Sequence, residues 1–289
     1  MWIFYAVGSA FFAGVTSILA KCGVKNTDAN VVTAVRTVVV FLFAWLMVFL
    51  TGSWNQMGDI SGRTLIFLIL SGAATGASWL CYFRALQTGN VNKVVPIDKS
   101  STVLTIILAL IFLKEGVSLS KAAAVFCIAA GIFLMIDKKD VQEEKEGQGS
   151  GWFLYACGSA VFASLTAILG KIGIENVESN LGTAIRTAVV LLMAWGLVFL
   201  TGKQKEIQRI GRKEMLFICA SGIATGASWL CYYRALQEGL ASVVVPIDKL
   251  SILITVLFSW LVFKERLKRK EGAGLFLLTA GTVAMAFIK

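Results

Sequence analysis

Ala74 to Gln87 reads ATGASWLCYFRALQ, and Ala224 to Gln237 reads ATGASWLCYYRALQ. The segment VVPIDK at Val94 to Lys99 returns in the same register at Val244 to Lys249. The two copies align without a gap over roughly 140 positions, of which about 60 are identical, and shared apolar composition alone would give far fewer. The chain is therefore an internal duplication.

The duplication divides the chain into two equivalent units joined by a charged segment. We assign residues 1–137 to the first five-helix unit, residues 138–151 to a linker, and residues 152–289 to the second five-helix unit. The linker contains the sequence KKDVQEEKEGQGS, whose charges and small residues are typical of a flexible connection.

The composition indicates a protein that crosses a lipid bilayer several times. Of the 289 residues, 57% are hydrophobic and only 15% are charged, and the mean hydropathy is +0.78. Several apolar runs reach the roughly 20 residues that a bilayer core requires of a helix. We expect an all-α integral membrane protein, located in a bacterial plasma membrane, that acts as a monomer, with a homodimer left open.

Each unit contains five predicted transmembrane helices, ten in all. The predicted spans are approximately Trp2–Ala20, Asn30–Thr51, Thr64–Gln87, Asn90–Leu113 and Ser120–Ile136, then Trp152–Gly170, Asn180–Thr201, Glu214–Gln237, Leu240–Phe263 and Lys270–Ile288. A unit with an odd number of spans begins and ends on opposite sides of the membrane. The second unit is therefore predicted to be inverted relative to the first, an arrangement common in transporters.

Basic residues in the loops predict the orientation of the chain. The loops after the seventh and ninth spans carry Lys203, Lys205, Arg209, Arg212 and Lys213, and Lys264, Arg266, Lys268, Arg269 and Lys270. The positive-inside rule places these loops, and the linker with them, in the cytoplasm, so that both termini lie outside. The net charge of +10 is largely this topology signal and does not predict binding to nucleic acid.

Other classes of site find little support. The chain has no histidine, and its six cysteines form no CxxC pair, so we expect no metal site, no cofactor and no disulfide framework. No nucleophile–base pair or phosphate-binding loop is evident, and we therefore predict that the protein is not an enzyme.

Charged residues recur at equivalent depths inside the predicted spans of both units. They are Arg36 and Arg186, Arg84 and Arg234, the pair Asp98–Lys99 and the pair Asp248–Lys249. A charge about 5–13 Å below the membrane surface is costly unless it is paired or hydrated. The alternatives are structural ion pairs, snorkelling of the shallower arginines, or a functional site. Because cations outnumber carboxylates in each cluster, the pattern favours an anionic ligand.

A second polar pattern lies on the third and eighth spans. Ser71, Thr75, Ser78 and Tyr82 have the spacing of one helical face, and Ser221, Thr225, Ser228 and Tyr232 repeat it. Trp79 and Trp229 lie beside these faces. The hydroxyls are expected either to line a cavity closed by the aromatic rings or to bond to backbone carbonyls between packed helices.

These residues resemble those of the EamA branch of the drug/metabolite transporter superfamily. The marks are the duplicated five-span unit, the stretches CYFRALQTG and CYYRALQEG, and the turns LKEG at Leu113 to Gly116 and FKER at Phe263 to Arg266. The PIDK tetrapeptide is similar to that of short, single-unit members. The resemblance implies ten helices, antiparallel halves, a central cavity and transport without ATP hydrolysis.

The chain departs from this resemblance in two respects. Small multidrug-resistance relatives use a glutamate in the first span to couple protons, and neither first span here contains an acidic residue. Ten-span relatives are also thought to keep both termini in the cytoplasm, whereas the loop charges here predict the reverse.

The sequence therefore predicts a secondary transporter for a small organic metabolite, anionic or zwitterionic, with a small molecule and the bilayer as its only partners. The predicted substrate-binding residues are Arg36, Arg186, Trp79, Tyr82, Trp229, Tyr232, Ser78 and Ser228. The predicted coupling or gating residues are Asp98, Lys99, Asp248, Lys249, Arg84 and Arg234. The alternatives are a proton-coupled exporter of amino acids or drugs that uses Asp98 and Asp248, and a membrane scaffold or lipid-binding protein whose charges are only structural.

Overall fold

The computed structural model describes residues 1–23, 27–88, 94, 97–116, 118–135, 151–263 and 269–287. The predicted linker, Pro96 and most of the basic loop after the ninth span lie outside the described residues. The helices of the first unit are α1 (Trp2–Gly23), α2 (Ala29–Leu50), α3 (Gly62–Thr88), α4 (Ser101–Phe112) and α5 (Leu119–Leu134). Those of the second are α6 (Gly151–Gly173), α7 (Ser179–Leu200), α8 (Arg212–Glu238), α9 (Ala241–Lys249), α10 (Ser251–Phe263) and α11 (Arg269–Phe287).

The described chain is helical throughout, as predicted, and much of it can cross a membrane. Within the described residues, seven helical segments are long and apolar enough for this by length and composition, and six of them are α1, α2, α3, α6, α7 and α8. The seventh begins with α9 and runs into α10, and α5 is a shorter apolar helix. The protein is therefore a multi-pass membrane protein.

The same devices begin and end the second helix of each unit. Asp28 caps α2 by accepting from the Asn30 amide at 2.9 Å, and Glu178 caps α7 by accepting from the Asn180 amide at 2.8 Å. At the other end the chain turns through Gly52 and Gly202, which have φ angles of 70° and 68°. Glycine adopts this left-handed conformation without a steric penalty, so each helix stops at an equivalent residue.

The two units pack against each other through pairs of helices, each pair with one helix from either unit. Helix α1 of the first unit lies along α8 of the second, and α6 of the second lies along α3 of the first. Helix α2 packs on α7 and α5 packs on α11. At the α5–α11 contact a Cβ atom added to Gly131 would lie 2.5 Å from the Leu278 amide nitrogen, so the two backbones approach too closely for any larger residue.

At each end of the bundle, polar contacts join the two units. At the end that we call the Glu115 end, Glu115 accepts from the Ala241 and Ser242 amides at 2.7 and 2.9 Å, and Lys171 donates to the Gly239 carbonyl at 2.6 Å. The side-chain amide of Asn180, at the start of α7, also lies there, and its Nδ2 donates to the Thr51 hydroxyl at the end of α2 at 3.5 Å.

At the other end, which we call the Lys203 end, Lys203 pairs with Asp28. Asp28 precedes α2, whereas Lys203 follows α7. Because the start of each of these two helices meets the end of the other, α2 and α7 run antiparallel.

Candidate functional site

Arg186 on α7 is enclosed by residues of α3 and α8. Its side chain is only 3% exposed, about 10 Å along α7 from the start of that helix. The Nε atom donates to the Ser71 hydroxyl at 3.0 Å, and one Nη atom donates to the Thr75 hydroxyl at 2.6 Å. The guanidinium carbon lies 5.0 Å from the Trp229 ring centre and 4.7 Å from that of Tyr233. Stacking of this kind stabilises a buried cation.

The two hydroxyls that bind Arg186 are oriented as acceptors. Ser71 donates its own hydrogen to the Thr166 carbonyl at 2.7 Å, and Thr75 donates to the Ser71 carbonyl at 3.0 Å. Their lone pairs are therefore free for the guanidinium. The other Nη atom of Arg186 is buried and has no hydrogen-bond partner in the described part of the chain, and no described carboxylate pairs with it.

Arg36 on α2 is the equivalent of Arg186, and its backbone is packed in an equivalent way. A Cβ atom added to Gly222 would lie 3.1 Å from the Arg36 carbonyl, and one added to Gly72 would lie 2.9 Å from the Arg186 carbonyl. The side chains differ, because Arg36 is only partly buried and makes no hydrogen bond or ion pair among the residues described. The equivalents of its missing partners, Ser221 and Thr225, donate within α8 to the Ile218 and Ser221 carbonyls.

The predicted aromatic residues occupy different positions in the two units. Trp229 stacks on Arg186, whereas Trp79 packs on a cluster of α2 and α7 side chains that includes Val31 and Ala194. Tyr232 meets the Tyr233 ring edge to face at 5.2 Å. Tyr82 packs on a separate cluster formed by Ala85, Val94 and Ala156. The structure thus brings Trp229 to Arg186 and Tyr232 to the neighbouring Tyr233 ring, and it leaves Trp79 and Tyr82 elsewhere.

Each aspartate is held by a serine of the other unit. Ser159 of α6 donates to Asp98 at 2.6 Å, and Ser9 of α1 donates to Asp248 at 2.6 Å. The predicted residues Ser78 and Ser228 complete these groups by donating to the Ser159 and Ser9 carbonyls at 3.1 and 3.0 Å. The result is two equivalent Asp–Ser–Ser groups, each joining helices of both units.

The two lysines next to these aspartates reach a common cavity. Its volume is about 350 Å³, and Lys99, Lys249 and Ser251 are among its lining residues. The Lys249 side chain is 44% exposed and lies 3.5 Å from Asp248, whose side chain is 16% exposed. The predicted Asp248–Lys249 pair therefore forms, but the ammonium group remains accessible from the cavity.

Arg84 and Arg234 lie apart from this centre, near the ends of α3 and α8. Arg234 pairs with Glu238 one turn further along its own helix at 2.8 Å, and its guanidinium carbon lies 5.9 Å from the Tyr5 ring centre. Arg84 is exposed. The structural ion pair that the sequence left open is thus present at Arg234.

Four residues of this region were not singled out from the sequence. Ser9 and Ser159 stand at equivalent positions in the two units, and each follows a glycine, so the repeat itself carried the signal. Tyr233 replaces Phe83, which is the single difference between the two copies of the fourteen-residue stretch. Glu115 belongs to the LKEG turn, but its contact with the start of α9 joins residues far apart in sequence.

Comparison with known proteins assigns the family. The EamA-like transporter family matches the chain twice, at residues 1–137 and at residues 150–287. The chain belongs to the EamA-like transporter family. A protein of Sinorhizobium named as an uncharacterised transporter is 45% identical over 134 residues, which cover 46% of this chain and 95% of that protein. One unit of this EamA-like chain therefore corresponds to nearly the whole of that relative.

Full-length likenesses are more distant. Human solute carrier family 35 member G1 is 28% identical over 273 residues, covering 91% of this chain and 72% of the human protein. A solved crystal structure at 14% identity superposes with a TM-score of 0.79, covering 97% of this chain and 95% of the other. At that identity the likeness shows a shared fold. The family resemblance read from the sequence is thus confirmed, and the family is one of transporters.

Proposed function

We propose that this EamA-like protein is a secondary transporter that moves a small anionic or zwitterionic organic metabolite by alternating access. In this proposal ten spans form two inverted five-helix repeats, residues 1–137 and 152–289, joined by the linker 138–151. The substrate passes between the repeats without ATP hydrolysis.

Contacts at the ends of the bundle support the inverted arrangement. Glu115 follows the fourth span, and the amides it caps begin the ninth span. If the repeats ran parallel, the end of the fourth span and the start of the ninth would lie on opposite sides of the membrane. The antiparallel packing of α2 on α7 supports the same arrangement.

The difference between Arg186 and Arg36 is the observation that carries the transport proposal. Alternating access by inverted repeats requires the two halves to adopt different conformations and then to exchange them. Arg186 is enclosed by hydroxyls and aromatic rings, whereas its equivalent Arg36 is partly accessible and lacks these partners. In our proposal Arg36 gains the environment of Arg186, and Arg186 that of Arg36, when access switches.

The charges within the bundle favour an anion. Among the predicted site residues that the structure describes, the cations Arg36, Arg186, Lys99 and Lys249 outnumber the carboxylates Asp98 and Asp248. The further cation Arg234 is neutralised by Glu238. Arg186 also retains a buried Nη atom that has no hydrogen-bond partner among the residues the structure describes. A carboxylate or phosphate would satisfy such a donor, and charge-assisted hydrogen bonds of this kind are among the strongest in proteins.

A proton-coupled mode of the same transporter has an observation of its own. Asp98 and Asp248 each accept a 2.6 Å hydrogen bond from a serine of the opposite unit, so protonation of either would alter a contact between the units. In this alternative, the rate of transport depends on the pH gradient. The double variant Asp98→Asn, Asp248→Asn should remove that dependence. Transport that ignores the pH gradient would contradict proton coupling.

Counterflow in proteoliposomes tests the proposal. A panel of metabolites is screened for uptake driven by trapped unlabelled compound, and Arg36→Gln and Arg186→Gln are compared with Arg63→Gln, which replaces an exposed arginine beside Phe67. We expect at least one anionic or zwitterionic compound to be transported, with uptake at least about tenfold slower in the first two variants and unchanged in the third. If folded Arg36→Gln and Arg186→Gln proteins transported at the wild-type rate, the assignment would be wrong.

A further inference from the structure

The cavity lined by Lys99 and Lys249 combines charged, hydroxyl and apolar side chains. Its hydroxyl-bearing residues include Ser17 and Thr255, and its apolar residues, which we call the apolar wall, include Ile132, Ile252 and Leu278. The lysines come from equivalent positions of the two units, yet they line one space. We propose that this cavity binds an organic monocarboxylate, with the carboxylate between the two lysines and a short hydrocarbon body against the apolar wall.

Interruptions of the two helices bring the lysines to the cavity. Helix α9 ends at Lys249, Leu250 forms a turn, and α10 begins at Ser251. In the first unit Lys99 precedes a turn at Ser100, and α4 begins at Ser101. Both lysines thus lie where a new helix starts, about midway through their predicted spans. Discontinuous helices near the midplane are where transporters commonly bind substrate, and a helix start favours negative charge.

The nearby aspartates do not occupy the two ammonium groups fully. One oxygen of each aspartate is engaged by a serine, and Asp248 approaches Lys249 only to 3.5 Å. Lys99 and Lys249 line the same cavity, so their like charges repel each other. An anion between them would relieve that repulsion, and a carboxylate has two oxygens that can each accept from one ammonium group.

The size and lining of the cavity determine the size and polarity of the ligand's body, beyond its carboxylate. A volume of about 350 Å³ lies at the small end of the range for small-molecule sites. Isoleucine and leucine side chains offer no hydrogen bond to a second polar group, so they favour an apolar body over a dicarboxylate or a sugar. Each methylene buried there is expected to strengthen binding about fourfold.

This inference rests on the proposed transport function only in that it makes the cavity a binding site for the transported substrate. Binding is measurable without transport, by the rise in melting temperature of the full-length protein in lipid nanodiscs. The probes are acetate, butyrate and hexanoate, with hexanol as the uncharged match, succinate as the dicarboxylate and leucine as the zwitterion. The variants are Lys99→Met with Lys249→Met, and Ile252→Thr on the apolar wall, with Lys205→Met on the exposed loop as the control.

We expect affinity to rise from acetate to butyrate to hexanoate, and hexanol, succinate and leucine to bind more weakly than hexanoate. The double lysine variant should weaken hexanoate binding by about tenfold to a hundredfold, and Lys205→Met should leave it unchanged. Ile252→Thr should reduce the gain per methylene without changing acetate binding. Equal hexanoate binding in the folded double variant, or stronger binding of succinate or leucine, would overturn the assignment.

The two proposals fail in distinguishable ways. If hexanoate binds as described while no compound shows counterflow, the carboxylate site stands and the transport proposal is wrong. If counterflow is found while the double lysine variant binds hexanoate normally, transport stands and the carboxylate site is wrong.

Discussion

The surroundings of Arg186 and Arg36 differ more than their sequences do. Both arginines follow the same pattern, and both backbones approach a glycine of the facing helix. On one side Ser71 reaches across to the Thr166 carbonyl of α6, whereas on the other Ser221 turns back to the Ile218 carbonyl of its own helix. One turn along, the contacts are alike, because Thr75–Thr166 and Thr225–Thr16 are both 3.3 Å apart.

The two units therefore share a backbone arrangement but differ in how tightly one layer of side chains is packed. Arg186 lies in a closed layer with its hydroxyl and aromatic partners, and Arg36 lies in a looser one. This difference between the two layers is the basis of our proposal that the two arrangements exchange during transport.

The largest expected effect is on stability, and it should separate the two arginines. Arg186→Gln removes two hydrogen bonds from a charged group and two ring contacts, so we expect a loss of about 2–3 kcal/mol in the free energy of unfolding. Arg36→Gln removes no described hydrogen bond and should change it by no more than about 0.5 kcal/mol. Thermal unfolding in nanodiscs measures both, and equal losses would remove the basis of the comparison.

Glu115 should contribute nearly as much, because its carboxylate holds the start of α9 at the Glu115 end. Glu115→Ala leaves the Ala241 and Ser242 amides without acceptors, and we expect a loss of about 2 kcal/mol. Glu115→Gln keeps one acceptor oxygen and should lose about half as much. Amide hydrogen exchange at Ala241 and Ser242 reports the same change locally, and Asp59→Ala, at an exposed site, is the control. Unchanged exchange in Glu115→Ala would show that this contact does not hold the end closed.

Tyr233 tests whether the closed layer depends on the one position where the long repeated stretches differ. Its hydroxyl lies beside that of Ser71, and its ring stacks on Arg186. Tyr233→Phe makes the two copies of the fourteen-residue stretch identical. It should lower the free energy of unfolding by about 1 kcal/mol, since only the hydroxyl is lost. Tyr232→Phe is the matched control on the neighbouring residue. A stability equal to wild type in Tyr233→Phe would mean that the difference between the layers has another cause.

The smallest effect concerns pH and the Lys203 end. Burial acts to raise the pKa of Asp28, but hydrogen bonding to Lys203 and to the Asn30 amide outweighs it and holds that pKa below the ordinary value of 3.8. The contribution of the pair is therefore present above about pH 4 and is lost as the pH falls through the lowered pKa. For a partly exposed pair we expect at most about 1 kcal/mol.

Asp28→Asn isolates this contribution. The difference in melting temperature between wild type and the variant should be steady near neutral pH and shrink on acidification below about pH 4. The Glu115 end joins α2 to α7 through neutral groups, Asn180 and Thr51, so Asn180→Ala should show no such dependence. A difference between wild type and Asp28→Asn that grew on acidification would contradict the assigned ion pair.

The repeat in the sequence predicted the helical fold, the membrane and the family, because apolar periodicity and duplicated motifs are local signals. It also singled out Arg186, Asp98 and Asp248, each of which bonds to a hydroxyl of the opposite unit. It did not predict that Ser9 would bind Asp248 or that Ser159 would bind Asp98, since these bonds cross from one unit to the other. Nor did it predict that Lys99 and Lys249 share a cavity, because the lining residues come from both units and lie far apart in sequence.

The difference between the two arginines could not be read from the sequence for a physical reason. Equivalent residues give equivalent predictions, and a duplicated sequence favours neither copy for the closed state. Only the Tyr233 and Phe83 pair distinguishes the copies within that stretch, and a single hydroxyl is worth about 1 kcal/mol.

The central claim is that the closed and loose layers exchange, and distances at the two ends of the bundle test it most directly. Spin labels at Asn55 and Asn176 report on the Glu115 end, and labels at Ala29 and Lys205 report on the Lys203 end, in protein whose six native cysteines are replaced by serine. Pulsed electron–electron double resonance gives each distance in protein with and without Arg186→Gln. This substitution removes the hydrogen bonds that hold the closed layer together. The account predicts that the Asn55–Asn176 distance lengthens while the Ala29–Lys205 distance shortens. Changes in the same direction at both ends, or no change at either, would contradict it.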